Sequence, residues 1–475
     1  MPSELRALVV RAAVAVALLL ALLFAAQLAD APDASAERGL ITGLIDPAYR
    51  SSADQDAWFD LTAEAEAEMV RIGVSWRFTA PTPPAEARDP SDPAYRFSNL
   101  DASVRAAAAR GFEVLLSVQG APGWAEGPNR PAFAAPGSWD PDAGAFGDFG
   151  HALAQRYSGS LPDPAGAGSL PRVRYFEVWN EPNLPSFLAP QWNGESPRSP
   201  DIYRGLLNAF YDGVKAADQG NVVVGGATSA YGDPPGGARM RPLHFLRELF
   251  CLEGRRKLKP KSCPPVKLDV LSDHPINTSG GPHRSALHPD DAATADVGEV
   301  KRVLRAAEKG GNVQPGGRRP FWVTEFWWLS NPPGSPNQRI AVPLGKHARW
   351  IEEALYLFWK TKVKAAFYFR VRDPQSTDVP SGLFFADGTP KPALTAFRFP
   401  FVTERRSRKR VQAWGKSPAA GKLRIERRQG GKWRKEKSLS VGEGKVFATK
   451  LRLAKGARLR ARVGEEQSLT WRQRG

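Results

Sequence analysis

Short apolar runs alternate along this chain with longer segments in which apolar residues recur every three or four positions. The short runs have the length of β-strands, and we predict eight, at residues 40–45, 69–76, 112–118, 173–179, 221–225, 268–272, 321–324 and 364–369. The longer periodicity predicts amphipathic helices, as at Ile202, Leu206, Phe210 and Val214. Strands that alternate with helices predict a parallel sheet.

Eight strand–helix units favour one fold class, an α/β chain that closes into a (β/α)8 barrel. A doubly wound open sheet is the rival, but no Gly-x-Gly-x-x-Gly pattern follows the first strand. The long segments rich in Pro, Gly, Asn and Trp all follow strands. Because the loops after strands build the catalytic face of such a barrel, we expect functional residues where strands end.

Two glutamates occupy matching positions at the ends of two predicted strands. Glu181 follows the fourth strand and Glu325 ends the seventh, each beside aromatic residues. Hydrolysis of a glycosidic bond needs one carboxylic acid to protonate the leaving oxygen and a second carboxylate across the anomeric carbon. The alternative interpretations are a helix N-terminal acid for Glu181 and an ion-pair partner of a basic residue for Glu325.

The pentapeptide Trp179-Asn180-Glu181-Pro182-Asn183 resembles the W-N-E-P-N signature of clan A, the retaining glycoside hydrolases on (β/α)8 barrels. The resemblance covers residues 39–400, and within the clan the chain is similar to cellulase-like families and to the β-xylosidase/α-iduronidase family. It implies that Glu325 is the nucleophile and Glu181 the acid/base. Retention then requires carboxyl groups about 5 to 5.5 Å apart, and the pKa of Glu181 is expected to exceed that of Glu325.

Further roles follow from the same resemblance. Asn180 is expected to donate to the sugar 2-hydroxyl, and Arg71 to keep the nucleophile ionised. His274, at the end of the sixth strand, matches a substrate-side histidine of the clan. The alternative for His274 is a loop histidine with a capping role.

The chain departs from the clan at Ile276, which stands where a tyrosine often hydrogen-bonds the nucleophile, and in the eighth strand, which has Tyr368-Phe369-Arg370 where a Trp is usual. Tyr368 in the eighth strand is a candidate substitute. Tryptophans in the loops after strands are candidate sugar platforms, with core packing as the alternative. These tryptophans are Trp124, Trp192, Trp327 and Trp328.

The N-terminus has the pattern of an export signal. Two arginines, Arg6 and Arg11, precede the uncharged run 12–29, and small residues follow it, so we predict a signal peptide over 1–36. An uncleaved membrane anchor is the alternative. Exported chains form disulfides in an oxidising compartment, so we predict a Cys251–Cys263 bridge, with two buried free thiols as the alternative.

Charge divides the chain at residue 401. Residues 401–475 contain 23 Lys and Arg against 6 Asp and Glu, which accounts for the whole net charge of +17. Their alternation of apolar and charged residues predicts a small all-β domain with one cationic face. The predicted domains are therefore residues 37–400, which form the barrel, and residues 401–475.

The expected partners of the cationic face are anionic cell-wall polymers or a membrane surface, with a solvated face as the alternative. Nucleic acid is not expected as a partner of an exported chain. The expected function is a secreted or surface-anchored retaining glycosidase without a cofactor or metal. A catalytically weak carbohydrate-binding protein on the same barrel, or a surface adhesin, is the competing hypothesis.

Overall fold

Eight parallel strands close into a barrel in the computed structural model, which describes residues 39–50, 54–278, 280–332, 340–375, 379–408 and 410–474. Barrel closure is complete because the first strand pairs with both the second and the eighth. The strands are β1 (Ile41–Ile45), β2 (Met69–Ser75), β3 (Glu113–Gln119), β4 (Tyr175–Val178), β5 (Val222–Ser229), β6 (Val270–His274), β7 (Phe321–Phe326) and β8 (Ala365–Phe369).

Each barrel strand is followed by a helix. These helices are α1 (Gln55–Glu64), α2 (Ser98–Ala109), α3 (Ala143–Arg156), α4 (Ser199–Ala217), α5 (Pro242–Leu249), α6 (Val297–Gly310), α7 (Leu344–Lys360) and α8 (Pro392–Arg398). The predicted fold class and all eight predicted strands are confirmed. The largest difference lies at β5, which continues to Ser229 rather than ending at residue 225.

Side chains on each strand alternate between the barrel interior and the layer under the helices. In β8, Ala365 and Phe367 face the interior, where they pack with Trp322 of β7. Ala366 and Tyr368 face outward into the core between strands and helices. This alternation decides which predicted site residues reach the top of the barrel.

The chain after the barrel forms two antiparallel sheets. Their strands are β9 (Phe401–Arg405), β10 (Val411–Lys416), β11 (Gly421–Gln429), β12 (Lys432–Val441), β13 (Val446–Leu451), β14 (Arg458–Val463), β15 (Glu466–Gln467) and β16 (Trp471–Arg472). One sheet has the order β9-β10-β13, and the other has β12-β11-β14-β15, with β16 beside β14. In β11, Leu423 and Ile425 are buried while Lys422 and Arg424 are exposed, as the alternation predicts.

The antiparallel sheets pack directly on the barrel. The ring of Trp414 in β10 lies 5.5 Å from that of Tyr356 and 5.8 Å from that of Trp359, both in α7. At the amino end of β1, the buried Nζ of Lys416 contacts Thr42 Oγ1 at 2.7 Å and Glu68 Oε2 at 2.6 Å. Residues 39–475 form one compact unit, so the division at residue 401 stays a prediction.

The predicted disulfide is present, since Cys251 and Cys263 are bonded. The predicted export signal over residues 1–36 lies outside the described residues. Among the residues that are described, no helix has the length and apolar character needed to cross a membrane.

Candidate active site

A cleft of about 310 Å³ opens where the barrel strands end, and it contains both predicted glutamates. Glu181 lies just after β4 and Glu325 near the end of β7, so residues 144 positions apart in the chain share one cavity. The remaining residues of the cleft wall are Ile45, Asp46, Pro47, Arg50, Arg71, Gly73, Ser117, Gln119, Asn180, Phe187 and Phe369.

The turn after β4 aims Glu181 into the cleft through an unusual backbone. Trp179 and Glu181 both have positive φ, 65° and 40°, a region that residues with a Cβ seldom occupy. Hydrogen bonds hold the turn in place: Trp179 N–H donates to Val118 O at 2.8 Å, and Glu181 N–H to Ala227 O at 2.9 Å. The indole of Trp179 also donates to Phe187 O at 2.8 Å. Neighbouring strands therefore stabilise the strained turn.

Arg71 joins four side chains beneath the cleft. Its Nε donates to Glu177 Oε2 at 2.5 Å, and its Nη1 lies 3.4 Å from Glu325 Oε2. Its Nη2 donates to both Ser117 Oγ and Asn180 Oδ1 at 3.0 Å. Arg71 thus brings positive charge to Glu325 and holds the amide of Asn180. The roles predicted for both residues stay predictions.

Burial and charge set the protonation of the carboxyl groups in this network. Burial alone would raise the pKa of Glu177, but the positive charges of Arg71 and His274 hold that pKa below its usual value. Burial raises the pKa of Glu325, and the charge of Glu181 adds to this effect. His274, Arg71 and the indole N–H of Trp327 act on Glu325 in the opposite direction. The predicted order, with Glu181 above Glu325, stays a prediction.

His274 contacts the other glutamate. Its Nδ1 lies 3.2 Å from Glu181 Oε1, and its ring is fully buried. Burial lowers the pKa of His274, but the hydrogen bond with Glu181 and the charge of Glu325 outweigh burial and raise it. His274 thus contacts Glu181, and its pKa also responds to the charge of Glu325. The substrate-side role that the resemblance implies for this histidine stays a prediction.

The hydrogen bond to Glu325 comes from a residue that the sequence analysis assigned to another role. Trp327 Nε1 donates to Glu325 Oε1 at 3.1 Å. Ile276, which replaces the usual tyrosine, is buried and has no side-chain donor. Trp327 thus supplies a donor to the expected nucleophile in this chain.

The prediction that Tyr368 binds substrate is corrected, because its side chain points out of the barrel. Its hydroxyl donates to Ser381 O and lies 2.7 Å from His347 Nε2, in the layer between strands and helices. Phe369, the next residue, faces the cleft instead. Strand alternation explains the error, because positions 368 and 369 face opposite sides.

One tryptophan platform is corrected because its side chain is buried. Trp328 is buried, and its indole donates to Gly280 O at 3.0 Å, so it has no free face for a sugar. Trp124 is half-buried, packs edge-on against Trp76 and donates to Ala80 O, and its role as a platform stays a prediction. Trp192 is half-buried beside His244. Only Trp327 of the four contacts a predicted catalytic residue among the described residues.

Several residues of the site were not predicted from the sequence. Glu177 is fully buried in β4 and accepts a hydrogen bond from Ser272 Oγ at 3.0 Å as well as from Arg71. Its signal was a charged residue at an inward position of an apolar strand, two residues before Trp179. Asp46, just after β1, accepts from the amides of Ala48 and Val371, and burial raises its pKa to about 6.

Comparisons with known proteins bear on the fold. No protein-family model and no curated protein matches the chain. Solved structures do match, among them a family 39 glycoside hydrolase from the gut symbiont Bacteroides cellulosilyticus WH2, with 17% identity and a TM-score of 0.52 over 88% of this chain and 81% of that one. A monomeric beta-xylosidase from Caulobacter crescentus CB15 has 17% identity and a TM-score of 0.51 over 88% and 94% of the two chains. At such identity the likeness shows the barrel fold.

Proposed function

We propose that this protein is a retaining glycoside hydrolase in which Glu325 is the nucleophile and Glu181 the acid/base. The observation that carries the proposal is the shared cleft, which both glutamates line. Arg71 lies beside Glu325 and His274 beside Glu181. The names of the two solved structures, a glycoside hydrolase and a beta-xylosidase, agree with the proposed reaction.

The proposed reaction has two steps. In the first, the Glu325 carboxylate bonds to the anomeric carbon while Glu181 gives its proton to the departing glycosidic oxygen. In the second, Glu181 takes a proton from water, the water oxygen bonds to the anomeric carbon, and Glu325 is released. Arg71 favours the ionised form of Glu325 that the first step requires.

A panel of aryl glycosides tests the proposal. Wild-type protein is expected to hydrolyse at least one of them with retention, seen by NMR of the first anomer released. Glu325→Ala should lower kcat at least about a thousandfold, and Glu181→Ala about a hundredfold or more where the leaving group needs protonation. Glu113→Gln is the matched control, because Glu113 is exposed at the opposite end of the barrel, at the start of β3. Full activity in Glu325→Ala would refute the proposal.

The competing hypothesis, a carbohydrate-binding protein with weak activity, rests on Ile276. It predicts that the wild-type protein binds a glycan while all panel substrates remain intact. The contact between Trp327 and Glu325 favours the enzyme, because it gives the nucleophile a donor without the tyrosine. Hydrolysis of a glycoside by the wild-type protein would support the enzyme, and binding without hydrolysis would support the competing hypothesis.

We further propose that the protein is exported and that residues 401–475 form a domain that binds an anionic cell-wall polymer. The disulfide supports export. Arg424 of β11 stands directly opposite Arg462 of β14, and both line a cavity of about 220 Å³ with Lys422 and with Glu426, whose carboxylate is paired with Arg460. Like charges in register destabilise a strand pair, so a bound anion would stabilise this one.

Cosedimentation with an anionic cell-wall polymer tests the proposed face. Arg424→Glu with Arg462→Glu should weaken cosedimentation about tenfold at low salt. Arg174→Glu with Lys364→Glu is a control of equal charge change, since both residues are exposed just before barrel strands. Unchanged binding of the first double variant would contradict the proposal, and binding to anionic lipid vesicles alone would identify a membrane surface instead.

A further inference from the structure

A groove of about 480 Å³ adjoins the cleft and is cationic. The cleft and the groove share Arg50 and Gly73 in their walls. Gly73 has no side chain, and Arg50 passes over it, with its Cδ 3.5 Å from the position that a Cβ would take. Arg50 therefore lies at the junction of the two spaces.

The arginines of the groove have no acidic partner among the described residues. Its walls contain Arg50 and Arg96 and no acidic residue. Neither guanidinium has a hydrogen bond or ion pair with any residue that the structure describes. A second cavity differs, because its Arg247 and Arg255 both contact Asp290. An unneutralised pair of arginines at a cleft mouth is a site for an anion.

The groove also has an apolar surface. Phe78 is 68% exposed, which is unusual for a residue of its size, and it lines the same groove. Exposed aromatic rings in clefts pack against the apolar faces of sugars. A sugar ring on Phe78 with an anionic substituent at the arginines would use both features.

We propose that the groove of Arg50, Arg96 and Phe78 is a subsite for an anionic sugar residue that is linked to the residue cleaved at Glu181 and Glu325. The substrate class is thus an acidic oligosaccharide whose carboxylate, sulfate or phosphate lies outside the catalytic cleft. The inference rests on the proposed glycosidase function and deepens it.

Matched substrate pairs test the subsite. One pair is a disaccharide with a uronic acid and the same disaccharide with the carboxyl group reduced, and the other is a sulfated oligosaccharide and its desulfated form. In the wild type, kcat/KM for the acidic member should exceed that for the neutral member about tenfold at low salt. The ratio should decrease as salt screens the arginines. The pair with the larger ratio identifies the anion.

Variants assign the preference to the groove. Arg50→Gln with Arg96→Gln should bring the ratio of acidic to neutral kcat/KM close to one, and Arg50→Lys should retain part of the preference because it keeps the charge. Arg174→Gln should leave the ratio unchanged, since Arg174 precedes β4 at the other end of the barrel. A ratio near one in the wild type, or a ratio that the double variant does not change, would overturn the inference.

The outcomes separate this inference from the function on which it rests. If the wild type hydrolyses neutral glycosides but shows no preference for acidic substrates, the glycosidase proposal is supported and the subsite proposal is refuted. If no glycoside is hydrolysed, the glycosidase proposal is refuted. Calorimetric titration with the acidic disaccharide then tests whether the groove binds an anionic sugar. Binding that is lost in the double arginine variant supports the subsite proposal, and no binding refutes it.

Discussion

The indole N–H of Trp327 donates a hydrogen bond to Oε1 of Glu325, two residues earlier in the chain. Arg71 contacts Oε2 of the same carboxylate. Each oxygen of Glu325 therefore has a separate donor, and both donors favour its ionised form. A carboxylate placed in this way keeps one orientation toward the cleft.

Trp327→Phe removes one of these donors and preserves the ring. Because the indole N–H lowers the pKa of Glu325, its loss should raise that pKa and move the acidic limb of kcat/KM to higher pH. A hydrogen bond to a charged group is worth enough to lower kcat/KM about tenfold on the acidic side. The pH profile is the measurement. Trp328→Phe makes the same substitution at a buried position outside the cleft, and an equal shift there would contradict this role.

Glu177→Gln should damage both stability and activity. It leaves Arg71 buried without its 2.5 Å partner, and breaking a buried ion pair costs about 3 to 5 kcal/mol of unfolding free energy. The displaced guanidinium should also lower kcat, because Arg71 positions Glu325 and Asn180. Urea unfolding and steady-state kinetics measure the two effects. Ser272→Ala keeps the ion pair but removes the Ser272 Oγ donor to Glu177 and the acceptor of the Ala227 N–H, so it should cost about 1 to 3 kcal/mol.

The free energy of unfolding should decrease as pH rises from about 4 to about 7, because Asp273 ionises at a higher pH in the folded chain than in the unfolded chain. Burial raises the pKa of Asp273 from 3.8 to about 7, so the folded chain holds a proton that the unfolded chain releases. Ionisation then opposes folding, and between these pH values this one group contributes a slope of about 1.4 kcal/mol per pH unit.

Asp273→Asn removes that group, and the slope of unfolding free energy against pH should become flatter between pH 4 and 7. Chemical unfolding at several pH values measures this slope. Asp212→Asn is the control, since Asp212 is exposed and paired with Lys267. A variant slope equal to that of the wild type would show that Asp273 ionises normally in the folded protein.

Reduction of the Cys251–Cys263 bond should destabilise the chain by about 3 kcal/mol, because the bond closes a short loop with a sequence separation of 12. The melting temperature of the wild type should therefore decrease in the presence of a thiol reductant. The double variant Cys251→Ser with Cys263→Ser should melt at the lower temperature with or without reductant. A reductant effect that persists in the double variant would assign the change to another cause.

Periodicity was sufficient to predict the barrel, because a strand buried on both faces is apolar almost throughout and stands out from its neighbours. The ends of strands were less certain. β5 continues through Gly226 and Ala227, where the register with β6 shifts, and no apolar run marks that extension. The continuation matters, because Ala227 accepts the hydrogen bond that fixes the Glu181 turn.

Within the site, the resemblance to clan A identified Glu181, Glu325, Arg71 and Asn180 as candidates. It did not show which side of its strand each residue faces. Tyr368 was assigned to the cleft as a substitute for the tyrosine that Ile276 replaces, and Phe369 in fact occupies that face. Glu177 was missed because a single charge inside an apolar strand has no spacing to interpret. Side-chain direction depends on the exact register of a strand, and one residue of uncertainty reverses it.

The sheets that follow the barrel begin at once, since α8 ends at Arg398 and β9 starts at Phe401. Trp414 packs against α7 and Lys416 reaches the amino end of β1, so the two parts share contacts along their boundary. If the cationic strands bind a polymer on the cell surface, the cleft stays at a fixed distance from that surface. A long flexible linker would instead let the cleft move through a larger volume. The height of the cleft above that surface is set by the width of the protein itself, and the cleft reaches only those glycans that extend to it.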